Sequence, residues 1–138
     1  MSADERWFPN QLKEMTEAEC VERLARNQVG RVAYSDERGP VVLPVNYMWG
    51  QNSVLFQTSP DSTLAKHMKS AYVSFEIDGY DERPQSGWSV LVRGDATHVR
   101  EGGLPHAERR PIAWPEGRRV LHIRITSHEI TGRRLSSG

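Results

Sequence analysis

The residues best suited to chemistry in this 138-residue chain lie between Phe56 and Lys66. An apolar run at positions 53–58 leads into Ser59-Pro60-Asp61-Ser62-Thr63, and Lys66 follows within one helical turn. Thr58, Ser59, Ser62 and Thr63 gather hydroxyls about a single bend. A helix that begins there adds unpaired backbone N–H groups and a positive end, which together would hold a phosphate. A second run at 41–47, Val-Val-Leu-Pro-Val-Asn-Tyr, would supply a flat apolar wall. Cradle and wall together point to a phosphorylated aromatic cofactor. The same hydroxyls also suit an ordinary helix cap after a strand, and the residues alone leave both readings open.

Other chemistries find less support. His67, His98, His106, His122 and His128 show neither the Cys/His spacing of a zinc site nor a His-Glu-x-x-His pair, so no metal is expected. No Ser-His-Asp arrangement stands out. Cys20 is the single cysteine; it has no internal disulfide partner, reads as a small helix residue, and fits a reducing cytoplasm. Lys66 and Lys69 fit a solvated helix face, and Trp88 fits packing as readily as ring stacking.

The elements that must position the bend follow from periodicity. Thr16-Glu17-Ala18-Glu19 has capping-box spacing, with Ala18, Val21, Leu24 and Ala25 then on one helical face and Asn27, Gln28 and Gly30 ending the helix. Strands are expected at 29–35, 41–49, 53–58, 71–78 and 87–100, then alternation at 120–125 and a short strand or extension at 129–134. Pro44 marks its strand as an edge or a bulge. Gly50-Gln51-Asn52 makes a hairpin turn. A short helix over 63–70 takes Asp61 or Ser62 as its cap. Residues 101–118 form a long irregular connection, and the first fifteen residues lie along the surface or against a partner chain. The expectation is one domain over 1–138: a mainly β, small antiparallel split barrel of about six strands, Greek-key-like, with two or so short helices. No Gly-x-Gly-x-x-Gly follows a strand, which excludes a nicotinamide-binding doubly wound sheet.

Composition narrows the partners. Lys+Arg 18 balance Asp+Glu 18, which argues against nucleic acid as the main partner, although five arginines against one acid occupy 118–134. There is no apolar run of bilayer-crossing length and no leader-like start, so no membrane is expected.

With these elements in order, the chain resembles the pyridoxamine 5′-phosphate oxidase-like flavoproteins, in particular their nitroimidazole-resistance-like bacterial branch. The resemblance rests on 39–47, Gly-Pro-Val-Val-Leu-Pro-Val-Asn-Tyr; 56–60, Phe-Gln-Thr-Ser-Pro; 71–78, Ala-Tyr-Val-Ser-Phe-Glu-Ile-Asp; and 87–94, Gly-Trp-Ser-Val-Leu-Val-Arg-Gly. It implies a homodimer with FMN in the groove between chains. By position, Pro44, Val45, Asn46 and Tyr47 would run along the isoalloxazine edge. Phe56, Gln57, Thr58 and Ser59 would lead toward the phosphate, which Ser62, Thr63 and Leu64 would meet. Trp88, Ser89 and Val90 would close the ring site from the partner chain. Relatives read Ser-Pro-Gly-Ser-Lys-Leu where this chain has Ser-Pro-Asp-Ser-Thr-Leu. Replacing that lysine by Thr63 removes a charge-assisted hydrogen bond worth about 1.5–3 kcal/mol, for which Lys66 or Arg31 would have to compensate.

The resemblance implies an FMN-dependent oxidoreductase acting on a small molecule, with the chemistry carried by the cofactor. A deazaflavin in place of FMN is one alternative, compatible with 3 Lys against 15 Arg. A protein that binds or sequesters flavin or haem without turnover is another.

Overall fold

The computed structural model describes residues 12–80, 86–99 and 120–135. Seven strands and two helices follow one another as β1 (Leu12–Glu14), α1 (Glu17–Arg26), β2 (Val29–Asp36), β3 (Gly39–Gly50), β4 (Ser53–Thr58), α2 (Thr63–His67), β5 (Ser70–Tyr80), β6 (Gly87–Val99) and β7 (Leu121–Leu135). All pairings are antiparallel. The strand order is β1-β7-β4-β3-β2-β5-β6, and β6 pairs back onto β7 to close a ring. Strands β2, β3 and β4 form a meander, and β5 returns beside β2. That is a Greek key closed into a barrel.

The expected strands are present: β2, β3 and β5 extend beyond the expected bounds by one or two residues at an end, β4 has the expected bounds, and β6 is described to Val99. Alternation on β5 is as the sequence implies: Val73, Phe75 and Ile77 are buried, whereas Tyr72, Ser74 and Glu76 face outward. The two segments expected at 120–125 and 129–134 are one strand. Its register against β6 jumps between Arg93↔Glu129 and Gly94↔Ser127, so His128 is the extra residue of a bulge. The seventh strand, β1, lies within the segment expected along the surface or a partner. It pairs Leu12, Lys13 and Glu14 with Leu135, Arg134 and Arg133. Residues 81–85 and the connection expected at 101–118 fall outside the described residues.

Both helices plug the barrel. Thr16 caps α1: its hydroxyl accepts from Glu19 N–H at 3.2 Å, and the Glu19 carboxylate accepts from Thr16 N–H at 3.2 Å. The inward face corrects the expectation from periodicity. Cys20 and Leu24 are buried, whereas Ala18 and Ala25 are exposed, because the two larger side chains fill the barrel end against Met15 and Gly132. Asn27 ends the helix by donating its side-chain amide to Arg23 C=O. Gly30 belongs to β2 and does not stop the helix. A Cβ there would stand 2.3 Å from Phe75 Cζ, so the glycine makes room for that ring in the core. The core itself is one cluster that includes Leu24, Val32, Phe56, Phe75, Ile77, Val92, Ile123 and Ile125.

Candidate functional site

The barrel is open between β3 and β4. Their register covers only Tyr47↔Phe56 to Gly50↔Ser53. Beyond it, β3 continues beside β2 down to Gly39↔Asp36, while β4 stays with β7 through Thr58↔Leu121. Among the described residues, 39–46 therefore have a strand neighbour on one side only. Pro44 sits on that open edge, as a proline in a strand should, and the register through it is continuous without a bulge. Tyr47 N–H donates to Gln28 C=O on the β2 side. Strand alternation then turns the backbone groups of Asn46, Pro44 and Val42 toward the gap. The N–H that proline lacks would have pointed into that gap, so no ladder bond is lost.

The opposite lip is the end of β4 and the turn into α2. Ser62 caps α2, with its Oγ accepting from Ala65 N–H at 3.0 Å; Asp61 does not, and its side chain is exposed. Thr58 Oγ1 lies 2.9 Å from Ser62 Oγ. Ser59 Oγ accepts from Asp61 N–H at 3.4 Å, and Ser59 C=O accepts from Ser62 N–H at 3.1 Å. The bend is thus knitted by its own hydroxyls, with Thr63 and Lys66 exposed beside it. Helix α2 ends at His67, earlier than expected, where Met68 N–H folds back to Ala65 C=O.

The other expected site residues divide by direction. Pro44 and Asn46 are exposed, and Val45, Gln57, Ser59 and Ser62 are half-buried. Tyr47, Phe56, Thr58, Leu64 and Val90 are buried, so a ligand in the gap could meet only their backbone or their edges. Tyr47 is committed to the core: its hydroxyl donates to Leu24 C=O at 2.7 Å, and burial pushes its ionisation far up. Trp88, Ser89 and Val90 are at the start of β6, whereas it is the far end of that strand, at His98, that touches α2 through Ala65 C=O. Ten residues of strand separate the two, about 33 Å. Within one protomer β2 and β5 stand between these three residues and the edge of β3. The Trp88 ring instead lies under the Arg23 guanidinium at 4.5 Å, and Ser89 opens onto a cleft of about 610 Å³ on the outer sheet face.

Strand pairing places two further groups: His122, which the sequence did not tie to the gap, and Arg31, the possible stand-in for the missing lysine. His122 pairs across β7 with Gln57 and is 3.2 Å from its amide nitrogen. Arg31 lies beside Pro44 in register and donates to both Glu76 and Asp78 at 3.1 Å, so it is not turned to the α2 bend. These carboxylates hold the guanidinium pKa up, Asp78 most strongly. Burial and then Asp78 push the Glu76 pKa up, and the pull of Arg31 does not offset them. The period-2 acids of Phe75-Glu76-Ile77-Asp78 were the available signal. Among the described residues no group of three or more His, Cys, Asp or Glu could hold a metal, and no helix is long and apolar enough to cross a membrane.

Comparison with known proteins agrees with this architecture. The sequence pattern of the family described as pyridoxamine 5′-phosphate oxidase matches residues 16–134. The structure of the FAD binding protein from Mycobacterium smegmatis is 30% identical, covers 90% of this chain and 100% of its own, and superposes with a TM-score of 0.78. An FAD-binding protein from Mesorhizobium loti shares the fold at 20% identity and TM-score 0.73, over 91% of this chain and 98% of its own. An uncharacterized protein of Mycobacterium tuberculosis is 30% identical over 93 residues, 64% of this chain. The chain spans about three-fifths (61%) of that relative's length. A closed six-strand ring with a short seventh strand, open beside a proline-marked edge and matched in sequence over nearly its whole length, makes this chain a member of the pyridoxamine 5′-phosphate oxidase family.

Proposed function

We propose that the chain binds a flavin in the gap between β3 and β4 and works as a flavin-dependent oxidoreductase on a small molecule. The observation that carries this reading is the gap itself. One lip is a backbone edge at Pro44–Asn46 with no strand partner on the gap side among the described residues, and the other a hydroxyl-rich turn at Thr58–Ser62. Backbone donors along the first lip suit the polar rim of an isoalloxazine ring, and the second suits a phosphate. A bound flavin would supply hydride or single-electron transfer at its ring. The chain's own part is to bind and orient that ring.

Charge at the turn bears on which flavin. FMN ends in a phosphate monoester that approaches two negative charges, whereas each phosphate of FAD is a diester with one. Asp61 and Thr63 leave Lys66 as the cation beside the turn, which suits the diester better. The 30%-identical relative is named an FAD binding protein. FAD is therefore the first choice, with FMN and a deazaflavin as the comparators.

A second copy of the chain would complete the site. Val29, Val42 and Tyr72 are about 60% exposed on the outer face of β2, β3 and β5, an apolar surface suited to a dimer contact. Trp88 and Ser89, remote from the gap in their own protomer, would reach the partner's gap. The single buried thiol of Cys20 suits a reducing cytoplasm.

Titration of FAD, FMN and the deazaflavin into purified protein, followed by flavin absorbance and fluorescence, tests the reading. Saturable binding with one flavin per protomer is expected, tightest for FAD. No binding of any of the three at micromolar concentrations would remove the proposal. Anaerobic reduction by NADPH followed by acceptor turnover separates an enzyme from a binder.

A further inference from the structure

Strand β7 is open along part of the edge that faces away from β6. On that side β4 pairs with it up to Ser53↔Thr126, and Ser127 N–H donates to Asn52 C=O. Strand β1 takes over at Glu14↔Arg133, and Met15 N–H donates to Gly132 C=O. Between these contacts residues 128–131 have no strand beside them among the described residues. The window from Ser127 to Gly132 is about 16 Å long.

The bulge decides which backbone groups look into this window. Backbone direction alternates along a strand, so Gly132, turned toward β1, sets Ile130 to the same side and Glu129 and Thr131 toward β6. Ser127 also faces away from β6; the extra residue His128 is what lets Ile130, three positions on, do the same. Ile130 is half-buried, and neither its N–H nor its C=O has a hydrogen-bond partner among the described residues. Strand backbone groups at such positions are paired as a rule. Space lies beside them: Ile130 and Thr131 line the cleft of about 610 Å³, with Glu14 and Met15 at its β1 end. The cleft runs across Thr131 to Leu91, its neighbour in register on β6. Its charged lining nearly balances, with Glu14, Glu76 and Glu129 against Arg93 and Arg133.

We propose that this window binds a small neutral ring with a lactam edge, an N–H beside a C=O. The ligand C=O would accept from Ile130 N–H, and the ligand N–H would donate to Ile130 C=O. A substituent on the ring would extend over Thr131 into the cleft. A carboxylate of the same shape is refused, because it has no proton for the Ile130 carbonyl. The site does not depend on the flavin reading, because β4 stands between this edge of β7 and the open edge of β3.

Titration of 2-pyridone into the full chain, with N-methyl-2-pyridone as comparator, tests the proposal through the backbone amide resonances, with and without saturating FAD. Saturable binding is expected in both states. The Ile130 amide should shift and exchange more slowly with solvent, while 2-pyridone leaves the Asn46 amide on the β3 edge unmoved. The N-methyl compound lacks the donor and should bind about tenfold more weakly. Ile130→Pro deletes the one N–H without taking a bond from the β6–β7 ladder, and should weaken 2-pyridone about tenfold. The wild-type Ile130 resonance keeps the test valid should that variant misfold. Absence of saturation up to about 20 mM, equal binding of the two pyridones, or saturation that leaves the Ile130 amide unmoved would overturn it.

Discussion

Thr58 Oγ1 and Ser62 Oγ stand 2.9 Å apart, tying the last residue of β4 to the cap of α2. The hydroxyls that cap the start of α2 also fix the shape of the turn expected to cradle a ligand. Ser62→Ala removes both contacts and should cost about 1 kcal/mol in chemical denaturation. The same variant should bind flavin more weakly, since the turn is no longer held. Unchanged affinity would show that the turn is only a cap.

Thr63→Lys should tighten FMN more than FAD. A cation at the exposed first residue of α2 adds a charge-assisted hydrogen bond of about 1.5–3 kcal/mol, or one to two decades of affinity, for a dianionic monoester. The ratio of FMN to FAD dissociation constants in wild type and variant is the readout. A gain equal for both cofactors would contradict the charge argument.

Gly94→Ala should be severely destabilising and Gly50→Ala nearly neutral. A Cβ at Gly94 would stand 1.9 Å from Thr126 C=O, a backbone atom that cannot step aside, whereas nothing lies within 4 Å of one at Gly50. The close approach occurs beside the β6–β7 bulge, so thermal melting of the two variants tests whether that bulge is needed for ring closure.

Two glutamates should shape the pH dependence of stability in opposite senses. Hydrogen bonds from Arg134 first, then from Thr16, hold the Glu19 pKa below the usual carboxylate range. Its contribution is present above the unfolded value and lost as pH falls through the folded one. Glu76 is shifted up by burial, so the native state binds its proton more tightly. That contribution is present below the unfolded value and lost as pH rises through the folded one. Glu19→Gln should flatten the acid loss of stability, and Glu76→Gln should gain on wild type as pH rises toward neutrality. Denaturation midpoints across about pH 3 to 7 check both signs.

Local signals were the legible part of the fold. The Thr16–Glu19 capping box, the β4 strand at Ser53–Thr58 and the alternation of β5 each depend on residues a few positions apart. The hairpin at Gln51 and Asn52 was legible as a turn, although both residues adopt positive φ (52° and 55°) without a glycine. What was not legible depends on distant partners. Three residues make β1 a strand only because Leu135, Arg134 and Arg133 are in register with them. Cys20 rather than Ala18 faces inward because Met15 and Gly132 shape that end of the barrel.

The candidate site shows the same division. The bend at Thr58–Ser62 and the edge at Pro44 were readable from residue types, and the register places them on two lips of one gap. Arg31, named as a possible stand-in for the missing lysine, is occupied by Glu76 and Asp78 across the β2–β5 seam, a pairing that the period-2 acids of β5 signal only once β2 and β5 are known to be neighbours. Trp88 lies under the Arg23 guanidinium of its own protomer, a contact between distant residues that no local pattern reveals.

The central claim is tested most directly by hydrogen–deuterium exchange with and without saturating FAD. Amides at 42–46 on the open edge of β3, and at 58–66 through the turn, should slow together when flavin binds. If flavin binds while exchange at both segments stays unchanged, the gap between β3 and β4 is not where it sits.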